Sequence, residues 1–331
     1  MLDVSRDIAI NAEIVKGVKV AGKSGNVLEM SLDSKIFSNR GRSHAVSPSL
    51  VAMKRSLFDS LLVDHAVKLG AVFADVTSLE TINRETEKME EWNLGFRSKE
   101  ENDLSSVQCR VLVGADGRNS RVANLLCGEN RGFSKDTISG RIGVQFVVNR
   151  PTDIGSDIVM FFFEGGYGGI VGVSARESNI AMVVTQELAR LASFDFAQFI
   201  LKSIHSNKYG KIVIPHVELR GEIRTTFPIT PRTNRLDRSN VYLVGDAHHT
   251  TEPFTGEGIF FAMQDGVRAA AAISESFGII SGIETPNLRK RFWVDNVFSP
   301  ILRNEAWAER ALALGVRHRN LAEFVGRRVF R

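Results

Sequence analysis

The stretch Asn240–Ala272, NVYLVGDAHHTTEPFTGEGIFFAMQDGVRAAAA, constrains the fold of this chain more than any other. Val241–Val244 is a run of strand-forming residues that ends at Gly245-Asp246, and Gly256-Glu257-Gly258 then opens a long Ala-rich helical stretch. A strand that leads through a glycine turn into a helix presents backbone N–H groups and a positive helix end to a ligand. The Asp246 carboxylate can accept hydrogen bonds from a ligand hydroxyl. We therefore predict a ligand site here.

A second acidic bend lies about 130 residues earlier. Gly114-Ala115-Asp116-Gly117 follows the strand-like run Val107–Val113 and precedes a helix start. Each bend alone has an ordinary explanation: a tight connection in an α/β protein, or Asp and Ser acting as helix caps. Two such bends in this order are much harder to obtain by chance.

The two bends resemble the motifs of the flavoprotein hydroxylase superfamily, which includes p-hydroxybenzoate hydroxylase. Gly245-Asp246-Ala247-His248-His249 with Pro253, Gly256 and Gly258 is similar to its GDAAHxxxPxxGxG motif, although His248 replaces the usual second alanine. GADGRNS is similar to its GADGxxSxVR fingerprint, and TGEGIFFAMQDG is closer to the geranylgeranyl reductase branch.

The resemblance implies an FAD site. It places Asp246 on the ribityl or ribose part of FAD, the turn from Pro253 beside the isoalloxazine ring, and Asp116 near the ribityl and pyrophosphate region. The implied cofactor-binding residues are Arg55, Asp116, Gly117, Gly245, Asp246, Ala247, Pro253, Gly256, Glu257, Gly258 and Ile259.

Pro48–Ala71 has the apolar spacing of a helix that ends at Gly70. It resembles the superfamily segment RxxFDxxLxxxAxxxGA, in which the arginine, here Arg55, approaches the FAD pyrophosphate. Without that resemblance, an arginine in a first helical turn is usually just solvated. Asp59 is expected to serve the structure.

The GxGxxG turn that ordinarily opens such a fold, with the pyrophosphate on the first helix N-terminus, does not occur in the 331 residues. Either the start of the chain is truncated, which we expect, or the protein has lost part of the backbone that binds the nucleotide. The predicted fold class is accordingly α/β: an N-terminally incomplete, Rossmann-like three-layer FAD-binding domain with an inserted antiparallel sheet and C-terminal helices.

The inserted sheet is predicted from strand-like segments separated by polar or glycine turns. They are residues 138–149, 158–164, 168–173, 180–184 and 212–224. A helix at 187–205 is expected on the outside of this inserted domain, and the helices expected after the Asp246 motif are 258–277, 287–298 and 301–316. The predicted domains are residues 1–136 (partial FAD-binding), 137–230 (substrate sheet), 231–284 (FAD-binding, continued) and 285–331 (C-terminal helices). Tyr167 either orients a substrate oxygen or is a packed turn residue.

The composition of the chain argues against several classes of protein, among them nucleic-acid-binding and membrane-spanning proteins. Hydrophobic residues make up 43% of the chain and charged residues 24%, as in soluble globular proteins. The net charge of +4 and the short GRRVFR tail do not favour nucleic acid as a partner, and they allow only a weak peripheral attraction to anionic membranes. No stretch reaches the roughly 18 apolar residues of a membrane span. The two cysteines show no spacing typical of a disulfide framework and no signal peptide is recognised, so we expect the protein in the cytoplasm. No cluster of metal-ligating residues stands out, so no metal site is expected.

Three hypotheses about function follow. The first is an FAD-dependent monooxygenase-like enzyme that uses NAD(P)H and acts on an apolar aromatic, polyketide or prenyl substrate, since the chain holds 21 Phe against 3 Tyr and 3 Trp. The second is a geranylgeranyl reductase-type alkene reductase. The third is a binding module that has lost the flavin. No acid–base pair stands out, so the catalytic candidates are only Tyr167 and His248.

Overall fold

The computed structural model describes residues 5–32, 50–75, 77–84, 91–98, 104–127, 140–191, 196–216, 218–229, 232–234, 236, 238–251, 253–280, 282, 300–301, 304–318, 320 and 322. Within these residues the chain divides into two compact units. The first comprises Met1–Phe73, Ile138–Ile229 and Pro300–Arg331, and the second comprises Ala74–Thr137 and Thr230–Ser299.

The described helices are α1 (Ser5–Asn11), α2 (Arg55–Lys68), α3 (Arg121–Cys127), α4 (Gln186–Leu191), α5 (Phe196–Ser206), α6 (Lys208–Val213), α7 (Gly258–Ser276) and α8 (Glu305–Arg317). The described strands are β1 (Glu13–Val15), β2 (Gly17–Ala21), β3 (Val27–Ser31), β4 (Leu50–Ala52), β5 (Thr77–Asn83), β6 (Trp92–Ser98), β7 (Leu104–Cys109), β8 (Leu112–Gly114), β9 (Arg141–Asn149), β10 (Asp157–Phe163), β11 (Gly166–Gly172), β12 (Glu177–Thr185), β13 (Leu219–Ile229), β14 (Arg232–Thr233), β15 (Val241–Leu243) and β16 (His249–Thr250).

The first unit is built on a seven-stranded sheet with the order β13-β9-β12-β11-β10-β2-β3. All neighbours are antiparallel except β10 and β2, which run parallel. The sheet therefore recruits β2 and β3 from the N-terminal region, in addition to the strands predicted between residues 137 and 230.

The core of the first unit lies on one face of this sheet. Alternate residues of β9, β10 and β12 point to that face, as the period of two along a strand requires. Helix α5 covers them with Ile200 and Ile204, which are fully buried. The fully buried Asn207 caps α6 and donates its amide N–H to the carbonyl oxygen of Phe162 at 2.9 Å, which ties that helix to the sheet.

The second unit contains the antiparallel sheet β5-β6-β7, the parallel pair β8-β15 and the short antiparallel pair β14-β16. Its core is a cluster of Trp92, Leu94, Leu112, Val122 and Val241, which belong to β6, β8, α3 and β15. This core joins the β5-β6-β7 sheet to the β8-β15 pair through the small helix α3.

Most predicted elements are confirmed, and three were placed wrongly. Val107–Val113 is not one strand, because β7 pairs with β6 whereas β8 pairs with β15, and the chain changes sheets at Arg110-Val111. Residues 212–224 contain the end of α6 and the start of β13 instead of one strand. The alternating apolar and polar pieces of residues 1–46 predict two or three antiparallel strands, but residues 5–11 form α1. The helix predicted at 287–298 lies outside the described residues.

None of the helices in the described part of the chain combines the length and the apolar character that a membrane crossing requires.

Candidate functional site

The parallel pairing of β8 and β15 brings the two acidic bends together. In the register of this pair, Leu112 lies opposite Val241 and Gly114 opposite Leu243, and the Val244 N–H donates to the Gly114 carbonyl oxygen at 3.0 Å. Since the carboxyl ends of neighbouring parallel strands meet at one edge of the sheet, the Asp116 and Asp246 bends leave the same edge. Their convergence was the main prediction from the sequence.

Glycine at position 114 permits this pairing. A Cβ atom there would lie 2.6 Å from Leu243 Cδ2 and 3.1 Å from Val122 Cβ, so both neighbouring side chains would have to move to admit it. The strand pair and helix α3 therefore pack directly against the glycine backbone.

The Asp116 carboxylate caps helix α3. Asp116 Oδ2 accepts hydrogen bonds from the backbone N–H groups of Arg121 at 2.6 Å and Val122 at 3.0 Å. The buried Ser120 supports it, because its Oγ accepts from Ala123 N–H at 3.0 Å. This is the capping role that the sequence left open as an alternative. Next to it, Gly117 has a φ of +76°, and a Cβ there would meet nothing within 4 Å.

The Asp246 bend is a single 3₁₀ turn, Gly245–Ala247, with the Asp246 side chain half-buried. Gly245 has a φ of +57°, in the left-handed region that favours glycine. Asp265 Oδ2, from α7, accepts from the Gly245 N–H at 3.1 Å. Asn234 donates its side-chain N–H to the Ala247 carbonyl oxygen at 2.7 Å.

Asp265 and Asn234 were not found from the sequence. Asp265 follows Phe261 by four residues and precedes Ala269 by four, so it lies on the buried face of α7 with them. An acidic residue on the apolar face of a predicted helix is a signal that could have identified it. Asn234 stands in an irregular segment, and no sequence pattern marks it.

The glycine turn that follows leads into the longest described helix. The Pro253 carbonyl oxygen accepts from the Gly256 N–H at 3.0 Å, and Gly256 has a φ of +70°. Glu257 is buried and precedes α7, whose first residue is Gly258. The second residue of α7, Ile259, is 39% exposed.

The adjacent histidines are held from different directions. His248 Nδ1 lies 4.0 Å from Asp265 Oδ2, at the limit of an ion pair. His249 Nδ1 lies 2.6 Å from Thr233 Oγ1, so a hydrogen bond joins β16 to β14. His248 therefore faces the same carboxylate oxygen that holds the Gly245 N–H.

The remaining predicted site residues belong to the first unit. Arg55 is the first residue of α2, and its Nε lies 2.6 Å from Asp59 Oδ1 in an exposed ion pair. Tyr167 is buried within β11, with the Arg141 guanidinium 5.7 Å from its ring centroid. It is a packed strand residue, because the hairpin turn falls earlier, at Glu164-Gly165.

Comparison with known proteins gives a family match over most of the chain. The profile of a family described as FAD binding domain matches residues 3–278. The digeranylgeranylglycerophospholipid reductase of Methanocella arvoryzae is 26% identical over 247 residues, which is 70% of this chain. The chain spans 58% of the length of that relative and 63% of the length of a second relative, from Methanosarcina barkeri.

Solved structures share the fold. The myxobacterial chondrochloren halogenase CndH, a FAD-dependent halogenase, superposes with a TM-score of 0.70 at 17% identity over 85% of this chain and 64% of its own. PqsL, a probable FAD-dependent monooxygenase from Pseudomonas aeruginosa, gives a TM-score of 0.62 at 17% identity over 97% of this chain and 83% of its own. The predicted flavoprotein fold is thereby confirmed.

Proposed function

Because this chain belongs to the FAD binding domain family, we propose that its second unit holds FAD at the Asp116 and Asp246 bends as part of an FAD-dependent oxidoreductase. The observation that carries the proposal is the parallel pairing of β8 and β15, from whose shared edge both bends emerge. When bound, the isoalloxazine ring supplies the redox chemistry, and the protein supplies position and polarity.

The residues at the bends fit such a cofactor. A Cβ atom at Gly117, Gly256 or Gly258 would meet nothing within 4 Å, so each of these backbone segments faces open space where a flat ligand can approach. The half-buried Asp246 can accept hydrogen bonds from a ribityl or ribose hydroxyl. The N-terminus of α7, at Gly258, carries the positive end of the helix dipole, which suits a polarised ring.

Asp116 acts on the cofactor mainly by fixing the backbone of its bend. Its Oδ2 accepts a hydrogen bond at the N-terminus of α3, and the bend held in this way presents the Gly117 backbone to the cofactor. Ala247, Pro253, Glu257 and Ile259 complete the proposed cofactor residues of the second unit by resemblance to the superfamily, and the role of Arg55 stays a prediction from the sequence.

The first version of the reaction is a monooxygenase-like oxidation of an apolar aromatic, polyketide or prenyl substrate with NAD(P)H as electron donor. The superfamily resemblance and the fold shared with PqsL support it. We also propose that the protein works in the cytoplasm and that any contact with membranes is peripheral. CndH, a FAD-dependent halogenase, shares the fold with a TM-score of 0.70, so the fold alone does not fix the reaction.

The second version is reduction of an alkene in an isoprenoid substrate. The 26% identity to a digeranylgeranylglycerophospholipid reductase favours it. Oxygen uptake separates the two versions: consumption of oxygen matched to product supports the monooxygenase, whereas turnover with NAD(P)H under anaerobic conditions supports the reductase.

Titration of the purified chain with FAD, followed by desalting and visible absorbance, tests cofactor binding. We expect Asp246→Ala to lose the retained flavin while its circular dichroism spectrum stays that of the wild type, because the variant removes an acceptor and leaves the turn backbone. Asp153→Ala, which changes an exposed carboxylate of the first unit, is the matched control. Equal flavin retention in the wild type and Asp246→Ala would refute the assignment, and a wild type that binds no FAD would favour the flavin-less module.

A further inference from the structure

The backbone at Gly245 depends on a carboxylate from the middle of a helix. The ladder between β8 and β15 ends with the bond from the Val244 N–H to Gly114, and the next amide, that of Gly245, donates to Asp265 Oδ2 at 3.1 Å. Asp265 thus supplies the acceptor for the first N–H group beyond the sheet. A buried N–H without an acceptor would destabilise the turn.

Helix α7 approaches the turn closely enough for this contact. A Cβ atom at Gly245 would lie 2.9 Å from the Ala262 Cβ atom. Ala262 precedes Asp265 by three residues, so both lie on the helix face that meets the turn. The small residue permits the close approach, and the acid one turn later reaches the amide.

Asp265 is only 8% exposed and shares its helix face with the buried Phe261 and Ala269. Burial of a carboxyl group is unfavourable unless hydrogen bonds compensate it, so leucine would suit this position better if packing were its only task. The same oxygen that receives the Gly245 N–H lies 4.0 Å from His248 Nδ1. The carboxyl group therefore accepts the Gly245 N–H just before Asp246 and lies near His248 just after the turn.

We propose that Asp265 is a positioning residue, which fixes the Gly245 amide from the buried face of α7 and so holds Asp246 in the orientation that receives the ligand. The inference deepens the proposed function and rests on it for the identity of the ligand. The contact to Gly245 can be tested without any ligand.

Hydrogen–deuterium exchange of the apo protein, measured by mass spectrometry on peptides across residues 244–250, tests the contact. We expect Asp265→Leu to raise the exchange rate of this segment by about tenfold or more, because the Gly245 amide loses its acceptor. Asp265→Asn, whose amide oxygen can still accept, should stay within about threefold of the wild type. Glu275→Gln, on the exposed end of the same helix, is the matched control and should exchange like the wild type.

Unchanged exchange at 244–250 in Asp265→Leu would overturn the proposal, and so would equal loosening in the Leu and Asn variants. If Asp265→Leu does not fold, as judged by circular dichroism, Asp265→Ser decides the same question, because its short side chain cannot reach the amide.

Flavin binding gives the second readout. We expect Asp265→Leu to weaken FAD binding by about tenfold or more, and to weaken it no further when Asp246→Ala is already present. Equilibrium titration measures both, because it still registers binding that is too weak to survive desalting. Additive losses in the double variant would show that Asp265 acts independently of Asp246 and would overturn the positioning role. A wild type that binds no FAD would count against the proposed function alone, since the exchange experiment decides the role of Asp265 by itself.

Discussion

At the residue scale, Asp116 shows how one side chain can suit two roles. The motif around it resembles a flavin fingerprint, and its carboxylate oxygen caps helix α3 through two backbone N–H groups. The two roles are compatible, because capping fixes the bend that exposes Gly117. The cap can be measured separately, since it contributes to stability without a ligand.

We expect Asp116→Ala to lower the free energy of unfolding by about 0.5–2 kcal/mol, because α3 loses a cap acceptor. Asp116→Asn should retain most of the stability, since asparagine caps helices about as well as aspartate. Urea unfolding without flavin measures both, with Asn119→Ala at the exposed neighbouring position as control. An alanine variant as stable as the wild type would contradict the capping role.

At the scale of elements, the strand pair β8-β15 and helix α3 meet at Gly114. The pair has only two strands, and each contributes three residues, so its position depends on packing as well as on hydrogen bonds. The space at Gly114 is already filled by Leu243 and Val122. Gly266, in the interior of α7, differs because a Cβ there would meet nothing within 4 Å.

Two glycine-to-alanine substitutions should therefore change the free energy of unfolding in opposite directions. Gly114→Ala should destabilise the protein by about 1–3 kcal/mol, because the added methyl group overpacks the contact. Gly266→Ala should stabilise it by about 0.5–1 kcal/mol, because alanine is the better helix former. Midpoints of urea unfolding compare them, and a stable Gly114→Ala variant would show that α3 does not pack as described.

At the scale of the whole molecule, each unit has a core of its own, and ion pairs connect distant segments within a unit. In the first unit, Lys54 precedes α2 and its Nζ lies 2.5 Å from Oε2 of Glu177, the first residue of β12. The hydrogen bond from Lys54 holds the pKa of Glu177 below its ordinary value of 4.5, although burial acts in the opposite direction.

This pair predicts a pH dependence. A carboxyl group whose pKa is lowered by folding stabilises the folded state above its unfolded pKa, and the contribution disappears as the pH falls through the lower, folded value. The stability difference between the wild type and Lys54→Met should therefore be present at neutral pH and shrink below pH 4.5. Chemical unfolding at several pH values measures it, with the exposed Lys16→Met as control. A difference that stays constant down to acidic pH would rule out the pair as its source.

Local patterns in the sequence determined much of the secondary structure of this protein. Strand-like segments between polar or glycine turns predicted β9 to β12, and helical spacing predicted α2. The Ala-rich stretch after the glycine turn predicted α7. These features depend on neighbours a few residues apart, which the sequence displays directly. The shared site of the two acidic bends was implied by their resemblance to the superfamily motifs.

The tertiary structure alone decided the partners of these elements. The sequence did not show that β8 pairs with β15, that the chain changes sheets at Arg110-Val111, or that β2 and β3 join the large sheet. It also did not show that Asp265 and Asn234 hold the Asp246 turn from two sides. The physical reason is that strand pairing and burial join segments far apart in the chain. The periodicity of side chains reports only on neighbours along the chain, so it does not indicate which distant backbone amide a carboxylate will bind.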